Sequence, residues 1–458
     1  MRADKIRQRK ELSLTEGSIA AGMLAFVIPM FLGQLLQQLY SMVDAWVVGN
    51  FADNDAFAAV TLSTHMSFLI VGFFNGIALG GGVVISRYYG AKDKERTEAA
   101  VHNNFLFGIV ASVVSTAVGL LLTPKLLGWL QTPESVLPDA KVYFGIYFAG
   151  VSTIIMYNIC MAVMRALGDS LHPLYYLVIS SVTNVVLDLL FVAVFHWGVA
   201  GAAIATVSSQ GLSAVLCMIR MFRATDESHL SLSKLRFQGR MLRQILTQGL
   251  PSGIQTSVIS IGNLVVQANI NSFGAYAISG HGAYSKIEGL VFLPIMSISL
   301  ALPTFVSQNL GAKQYERAKK GALFGTLLGV AMAEGIGVLL YLGVRPALRL
   351  FLSSSEAIEF GVIHARTVTL FFFLLAFSHC AAGVMRGCGK AFIPMATMLA
   401  VWCGLRIVYV TLMLRIFPVF RTISSVYPLT WGISAVIFLL FLWKADWTKG
   451  LEQEENKR

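Results

Sequence analysis

The chain has 458 residues, of which 56% are hydrophobic and 13% are charged, and its formal net charge is +11 at neutral pH. This composition excludes an ordinary soluble domain and predicts an integral membrane protein. A strong positive charge can indicate nucleic-acid binding, but membrane proteins gather lysine and arginine in their cytoplasmic loops for reasons of topology, so we expect no nucleic-acid partner.

Twelve apolar runs follow one another along the chain, each long enough to cross a hydrocarbon core of about 30 Å as a helix of about 20 residues. Their approximate limits are residues 19–48, 57–86, 100–123, 140–163, 171–195, 198–221, 244–272, 277–306, 320–343, 361–384, 391–415 and 424–443. The first run is longer than the apolar region of a secretory signal, which predicts a retained helix. The seventh is the least apolar, because it contains Gln248, Gln255, Asn263, Gln267, Asn269 and Asn271.

Basic residues concentrate in the N-terminal segment and in the even-numbered connections between these runs. This asymmetry predicts that both termini are cytoplasmic and that the protein crosses the plasma membrane many times. The five cysteines form no CxxC pair and no Cys/His spacing typical of a metal site, so we expect no disulfide, no zinc and no cofactor.

The two halves of the chain repeat each other. RYYGAKDKERTEAA from Arg87 recurs as QNLGAKQYERAKKG from Gln308, and MRALGDSLHP from Met164 recurs as MRGCGKAFIP from Met385. A repeat of six helices leaves both copies facing the same way, which predicts an all-α protein with two pseudo-symmetric six-helix lobes around a cleft that opens to either side. One chain holds both lobes, so we expect a monomer.

The predicted organisation has five parts. They are an N-terminal cytoplasmic tail (1–18), an N-lobe (19–222), a polar cytoplasmic linker (223–242), a C-lobe (243–444) and a C-terminal cytoplasmic tail (445–458).

Buried polar residues mark three runs of the N-lobe. The fifth run carries Asn184 and Asp188 on one helical face, although a carboxylate at mid-membrane costs about 2.5 to 3.5 kcal/mol. The first run carries Asp44 after Pro29, which we expect to act as a hinge, and the sixth carries Thr206. At 1.5 Å per residue, Asp44, Asp188 and Thr206 lie at similar depths, about 9 to 13 Å below the outer ends of their helices.

Two interpretations of these polar residues are open. They can pack helices together, or they can bind an ion. Carboxylate, amide and hydroxyl oxygens suit Na⁺, and two neighbouring carboxylates equally suit a shared H⁺, so the coupling ion stays undecided between the two.

The chain resembles the multidrug and toxic compound extrusion (MATE) family over essentially its whole length. The resemblance rests on VDAWVVGNF at the end of the first helix, NVVLD on the fifth and VAGAAIAT opening the sixth. It is specific to the archaeal and DinF-like branch, whose N-lobe cation site matches Asp44, Asn184, Asp188 and Thr206. The resemblance also implies that the same cavity is lined by Gln37, Tyr40, Tyr143 and Asn158.

The C-lobe departs from the pattern of the NorM-like branch, which has acids on helices seven and ten. Here helix seven has no acid and helix ten has only Glu359, near its start, so we expect no C-lobe cation site of that kind. For Glu288 on helix eight, a role in the cleft and an ion pair are equally open. Glu334 and Arg406 are predicted to make structural contacts between helices.

These observations favour a secondary active transporter and not an enzyme. We expect antiport of amphipathic, cationic drugs or metabolites against H⁺ or Na⁺ by alternating access. The alternative within transport is a lipid-linked saccharide flippase of the same superfamily, although the predicted N-lobe cavity is acidic where such proteins are basic. A membrane-embedded transferase would need paired acidic metal-binding motifs, and the sequence contains none. A receptor or scaffold would not explain the duplicated halves.

Overall fold

A computed structural model describes residues 14–444 apart from residues 53, 130 and 131. The predicted C-terminal tail and most of the predicted N-terminal tail therefore lie outside the described residues. Within these limits the chain is helical, with no β-strand.

The first six of twelve helical rods in the described part of the chain correspond to the predicted N-lobe. They are α1 (Ile19–Phe51), α2 (Asn54–Gly90), α3 (Lys94–Trp129), α4 (Leu137–Ala149 and Val151–Ala166, bent by 44° at Gly150), α5 (Leu171–Asp188 and a π-helical turn, Leu189–Val194) and α6 (Gly198–Arg223). A single 3₁₀ turn, Leu232–Lys234, lies in the connection that follows.

The other six rods correspond to the predicted C-lobe. They are α7 (Gly239–Asn271), α8 (Ala275–Gly311), α9 (Tyr315–Arg349), α10 (Ser355–Val368, a 3₁₀ turn Thr369–Phe371, and Phe372–Gly387), α11 (Phe392–Met398, a π-helical turn Leu399–Leu405, and Arg406–Ile416) and α12 (Phe420–Lys444). The all-α fold class is therefore confirmed.

Nine of these rods are each long and apolar enough to span a membrane, and the bent pair of α4 makes a tenth among the described residues. The protein is thus a multi-pass membrane protein. The rod α7 is not among these, in keeping with its seven Asn and Gln side chains, which dilute its apolar character. All five cysteines are free thiols.

The sequence repeat is visible in the backbone. Lys92 and Lys313, in the two GAK segments, both adopt left-handed backbone conformations, with φ of 58° and 59°. Gly168 and Gly389, in the two MR repeats, likewise have φ of 93° and 78°. Each pair ends a helix at the same point of its repeat, because a residue in this region reverses the chain and satisfies the last carbonyl groups.

The chain forms two compact units. The first contains residues 28–253, and the second contains residues 14–27 together with 254–444 of the described chain. The first part of α1 thus belongs to the second unit, and the first part of α7 to the first unit. Both divisions lie within a few residues of a proline inside the helix, Pro29 in α1 and Pro251 in α7.

Each unit has its own apolar core. In the first, Phe144, Phe148 and Ile155 of α4 are almost completely buried. In the second, Tyr284, Phe372 and Phe438 come from α8, α10 and α12. The predicted linker, residues 223–242, lies within the first unit, and the predicted lobe boundaries on either side of it stay predictions.

Candidate cation site in the first unit

Two carboxylic acids meet inside the first unit. Asp188 is completely buried and is the last residue of the α-helical part of α5, directly before its π-helical turn. Asn184, one turn earlier, is also buried. Because a π-helical turn inserts an extra residue into the helix, it reorients the groups beside it, and such turns are frequent at functional sites.

Asp44 of α1 and Asp188 of α5 lie within hydrogen-bonding and electrostatic reach of each other. Among the described residues, no N–H or O–H donor satisfies the buried Oδ1 of Asp44 or either carboxylate oxygen of Asp188. Both amide atoms of Asn184 are likewise buried without a partner there. Buried polar atoms normally find partners, so these oxygens are suited to a bound cation or a proton.

Tyrosine side chains border the two acids. Tyr40, one helical turn before Asp44, and Tyr143 of α4 both lie within electrostatic reach of both carboxyl groups. Tyr143 also stacks on Tyr147, with ring centroids 6.2 Å apart. The hydroxyl groups offer polar contacts, and the rings offer a flat apolar surface, so the site combines negative charge with aromatic faces.

The structure extends this site by one residue that the sequence analysis missed. Gln210 of α6 is buried and donates from Nε2 to the hydroxyl oxygen of Tyr40 over 3.3 Å. Gln37, which is exposed, lies within hydrogen-bonding reach of the same tyrosine. Gln210 lies four residues after Thr206, on the same helical face, and this spacing is the feature of the sequence that could have identified it as a site residue.

Two other predicted site residues are less closely tied to the acids. Thr206 is partly buried, and its backbone carbonyl accepts a hydrogen bond from the hydroxyl of Ser209. Asn158 donates from Nδ2 to the carbonyl of Ile154 in its own helix, over 2.8 Å. Neither gives a hydrogen bond to Asp188 in the described part of the chain, and their roles stay predictions.

The second unit holds a different polar centre, around Arg406 of α11. Its guanidinium donates to Asn263 Oδ1 over 2.7 Å and to Thr430 Oγ1 over 3.3 Å. It also lies over the rings of Tyr427 and Trp402, at 4.8 and 5.7 Å from their centroids. The carboxyl group of Glu288, beside Tyr284, lies within electrostatic reach of this guanidinium. The second unit thus combines one acid with one base where the first unit combines two acids.

Glu334 of α9 makes a structural contact with the neighbouring helix α10. Its Oε2 accepts from the backbone N–H of Phe373 over 3.3 Å, at the break in α10. A broken helix leaves backbone donors unsatisfied, and a nearby carboxylate compensates for that loss.

Among the described residues, no group of three or more His, Cys, Asp or Glu side chains is arranged to hold a metal ion. A Na⁺ site here would therefore rest on two carboxylates supplemented by amide, hydroxyl or backbone oxygens.

Comparisons with known proteins place this architecture in a family. The chain is 28% identical over 382 residues to the probable multidrug resistance protein YpnP of Bacillus subtilis, covering 83% of this chain and 85% of that protein. It is 25% identical over 393 residues to the probable multidrug resistance protein NorM of Thermotoga maritima, covering 83% and 82%. A crystal structure of MATE in the bent conformation superposes with a TM-score of 0.90 at 20% identity, covering 97% of this chain and 99% of that one.

The MatE family model matches residues 29–190 and 251–412, one stretch in each half of the chain. The two stretches together account for more than half of the sequence and repeat at the spacing seen in the GAK and MR segments. The chain therefore belongs to the MatE family, as the resemblance of its helix-end motifs indicated.

Proposed function

We propose that the protein is a multidrug efflux transporter that exchanges amphipathic, cationic organic compounds for H⁺ or Na⁺ across the plasma membrane, with both termini in the cytoplasm. The names of its relatives support export of drugs, since YpnP and NorM are both described as probable multidrug resistance proteins. The coupling ion and the antiport mechanism are parts of our proposal.

The observation that carries the proposal is the pair formed by partly buried Asp44 and buried Asp188. Oδ1 of Asp44 and both carboxylate oxygens of Asp188 lack donors in the described chain. Two adjacent carboxylates repel each other, so a cation entering between them is favoured. An organic cation and a small coupling cation would compete for the same negative charge. Occupation by one weakens the other, and this competition couples their movements in opposite directions.

The aromatic border of the site fits the proposed substrates. Tyr40 and Tyr143 present ring faces beside the acids, and Gln210 fixes the hydroxyl of Tyr40. Flat, positively charged compounds gain from stacking on such rings and from the nearby carboxylates. A saccharide linked to an anionic lipid would gain nothing from two acids, so this arrangement favours the drug exporter over the flippase.

The test is gradient-driven uptake of a fluorescent lipophilic cation into proteoliposomes with the inside-out orientation. A proton gradient and a sodium gradient are imposed separately on the wild type, on Asp188→Asn and on Glu359→Gln. Glu359 is the matched control, because it is an exposed acid paired with Arg345 over 2.6 Å. We expect uptake under one gradient, its loss in Asp188→Asn, and its retention in Glu359→Gln. Uptake that persists in Asp188→Asn would overturn the role of the acid pair, and no wild-type uptake under either gradient would favour the flippase.

A further inference from the structure

A single arginine holds the chain just before α1. Arg317, in the first turn of α9, directs its guanidinium at three backbone carbonyl groups of residues 14–17. Its Nε and Nη2 each donate to Leu14 O over 3.2 Å, Nη1 donates to Gly17 O over 2.7 Å, and Nη2 donates to Glu16 O over 2.8 Å. These contacts use the planar fork of donors that distinguishes arginine from lysine.

Other groups of the second unit reinforce the attachment. Asn309 donates from Nδ2 to Leu14 O over 3.2 Å, and the side chain of Leu14 is completely buried. The guanidinium of Arg317 lies 5.9 Å from the ring centroid of Phe305. Segments near a chain terminus are poorly ordered unless they are tied down, so these contacts form an N-terminal anchor.

The first turns of α1 also pack closely against the same unit. A Cβ atom added at Gly325 of α9 would lie 2.9 Å from the sulfur of Met23, a separation that ordinary side chains do not tolerate. Met23 and Phe26 are each about 1% exposed. The stretch from residue 14 to residue 27 thus belongs to the second unit, and it ends two residues before Pro29.

The equivalent arginine of the first repeat has different contacts. Arg96 aligns with Arg317 in the two GAK segments, but it pairs with Asp93 over 3.5 Å and lies over the ring of Tyr88. In the first unit the stretch before α7 is held by α3. There, His102 Nε2 accepts from Ser231 N over 3.0 Å, and Asn103 Oδ1 accepts from Gln238 N over 2.9 Å. The arginine fork of Arg317 thus holds the chain just before α1, the helix that carries Asp44.

We propose that Arg317 is a positioning residue for transport, because it fixes the N-terminal part of α1 and so makes Pro29 the point about which the part bearing Asp44 moves. A proline inside a helix removes a backbone hydrogen bond and permits bending there. Bending transmits movement only if one side of the hinge is held. This inference rests on the proposed function for its effect on transport, whereas the anchoring itself can be measured independently.

The experiment combines hydrogen–deuterium exchange with the transport assay. The variants are Arg317→Gln, which removes the charge, Arg317→Lys, which keeps the charge without the fork, and Arg96→Gln as the matched control. We expect exchange of the amides of residues 18–27 to rise by about tenfold or more in Arg317→Gln and less in Arg317→Lys. We expect the maximal transport rate to fall by about fivefold in Arg317→Gln, with the half-saturating substrate concentration changed less than about twofold.

The outcomes separate the two hypotheses. Unchanged exchange in Arg317→Gln would overturn the anchor, and faster exchange with an unchanged maximal rate would overturn its role in transport. Either result leaves an active wild type and the proposed function intact. A wild type that transports nothing would overturn the proposed function and, with it, the role of Arg317 in transport, while exchange would still decide whether the anchor exists. Arg317→Lys provides the test if Arg317→Gln misfolds. It should show the same two effects as Arg317→Gln, faster exchange and a lower maximal rate, but each to a smaller extent.

Discussion

Gln210 and Tyr40 join the sixth helix to the first through one hydrogen bond, in which the amide Nε2 donates to the phenolic oxygen over 3.3 Å. Tyr40 precedes Asp44 by one helical turn and lies within electrostatic reach of Asp44 and Asp188. The amide therefore controls the orientation of a hydroxyl group beside the acid pair. This relationship makes Gln210 a member of the candidate site, although the sequence analysis singled out only Thr206 on that helix.

Gln210→Leu should weaken transport without unfolding the protein. Leucine has a similar volume, but it leaves the hydroxyl of Tyr40 without the donor, and a lost hydrogen bond of about 1 to 1.5 kcal/mol corresponds to about tenfold in affinity. We expect the half-saturating concentration of substrate or coupling ion to rise by about this factor. The measurement is concentration-dependent uptake in proteoliposomes.

The control for this variant is Gln267→Leu, because Gln267 donates to Asn271 on the exposed side of α7. Its transport should equal that of the wild type. If both variants lose activity equally, the loss reflects general perturbation, and the proposed role of Gln210 is wrong.

Glu288 and Arg406 should be energetically coupled. Arg406 is about 2% exposed and the partly buried Glu288 lies within electrostatic reach of it, so Arg406→Gln leaves this carboxyl group without its counter-charge. Breaking a fully buried ion pair costs about 3 to 5 kcal/mol, and we expect a smaller loss here because Glu288 is only partly buried. Glu288→Gln should cost less, because Arg406 keeps Asn263, Thr430 and two aromatic rings.

The double variant decides between coupling and independence. We expect it to be more stable than the sum of the single losses by about 1 to 3 kcal/mol, measured by thermal unfolding in one detergent. Strictly additive losses would show that the two charges do not interact.

The features that the sequence predicted are those that depend on local residues. The length of an apolar run predicts a spanning helix, and an acid such as Asp188 inside that run is conspicuous because its burial is costly. The repeat found in the sequence corresponds in the structure to two helix ends, at Lys92 and Lys313, whose φ angles agree within 1°. The fold and the identity of both acids of the candidate site could be stated from these signals.

The features that it did not predict depend on which helices become neighbours. The partners of Arg406 lie on α7 and α12, far away in sequence. The sequence therefore showed that burying this charge is unfavourable, but it did not show which side chains hydrogen-bond the guanidinium. No characteristic amino-acid composition marks the π-helical turns at Leu189–Val194 and Leu399–Leu405, because such turns arise where packing forces an extra residue into a helical turn. The division of α1 and α7 between units is equally a property of packing.

Asp169 should make stability depend on pH. This residue lies between α4 and α5 and accepts hydrogen bonds from His172 Nδ1 over 2.7 Å, from His172 N over 3.1 Å and from Arg220 Nη2 over 3.0 Å. Burial alone would raise the pKa of Asp169, but the hydrogen bonds from His172 and the charges of His172 and Arg220 together lower it below its ordinary value. A lowered folded-state pKa stabilises the protein above the unfolded-state pKa, and the stabilisation is lost as pH falls through the folded value.

Asp169→Asn should therefore lower the unfolding temperature at pH 7, by an amount corresponding to about 1 to 2 kcal/mol. The difference from the wild type should begin to shrink as the pH falls below about 4, where the carboxyl group becomes neutral in the unfolded chain, and should continue to shrink until the pH has passed the lower pKa of the folded state. Thermal unfolding from pH 7 to pH 3 measures this, with Glu359→Gln as the exposed acid for comparison. A difference that stays constant over this range would show that the charge of Asp169 is not its source.

Gly80→Ala should destabilise the first unit, because α2 and the first part of α7 cross there with almost no space. A Cβ atom at Gly80 would lie 2.3 Å from both the nitrogen and the Cα of Gly249, which are backbone atoms that cannot rotate away. The helices would have to separate, and such overpacking costs about 1 to 3 kcal/mol.

Gly145→Ala in α4 is the matched control, since no atom lies within 4 Å of its added Cβ. Alanine is the better helix former, so Gly145→Ala should be neutral or stabilising by up to about 1 kcal/mol. Thermal unfolding of both variants in the same detergent compares them. Equal unfolding temperatures would mean that the crossing at Gly80 and Gly249 is loose enough to admit a methyl group, contrary to the close approach described here.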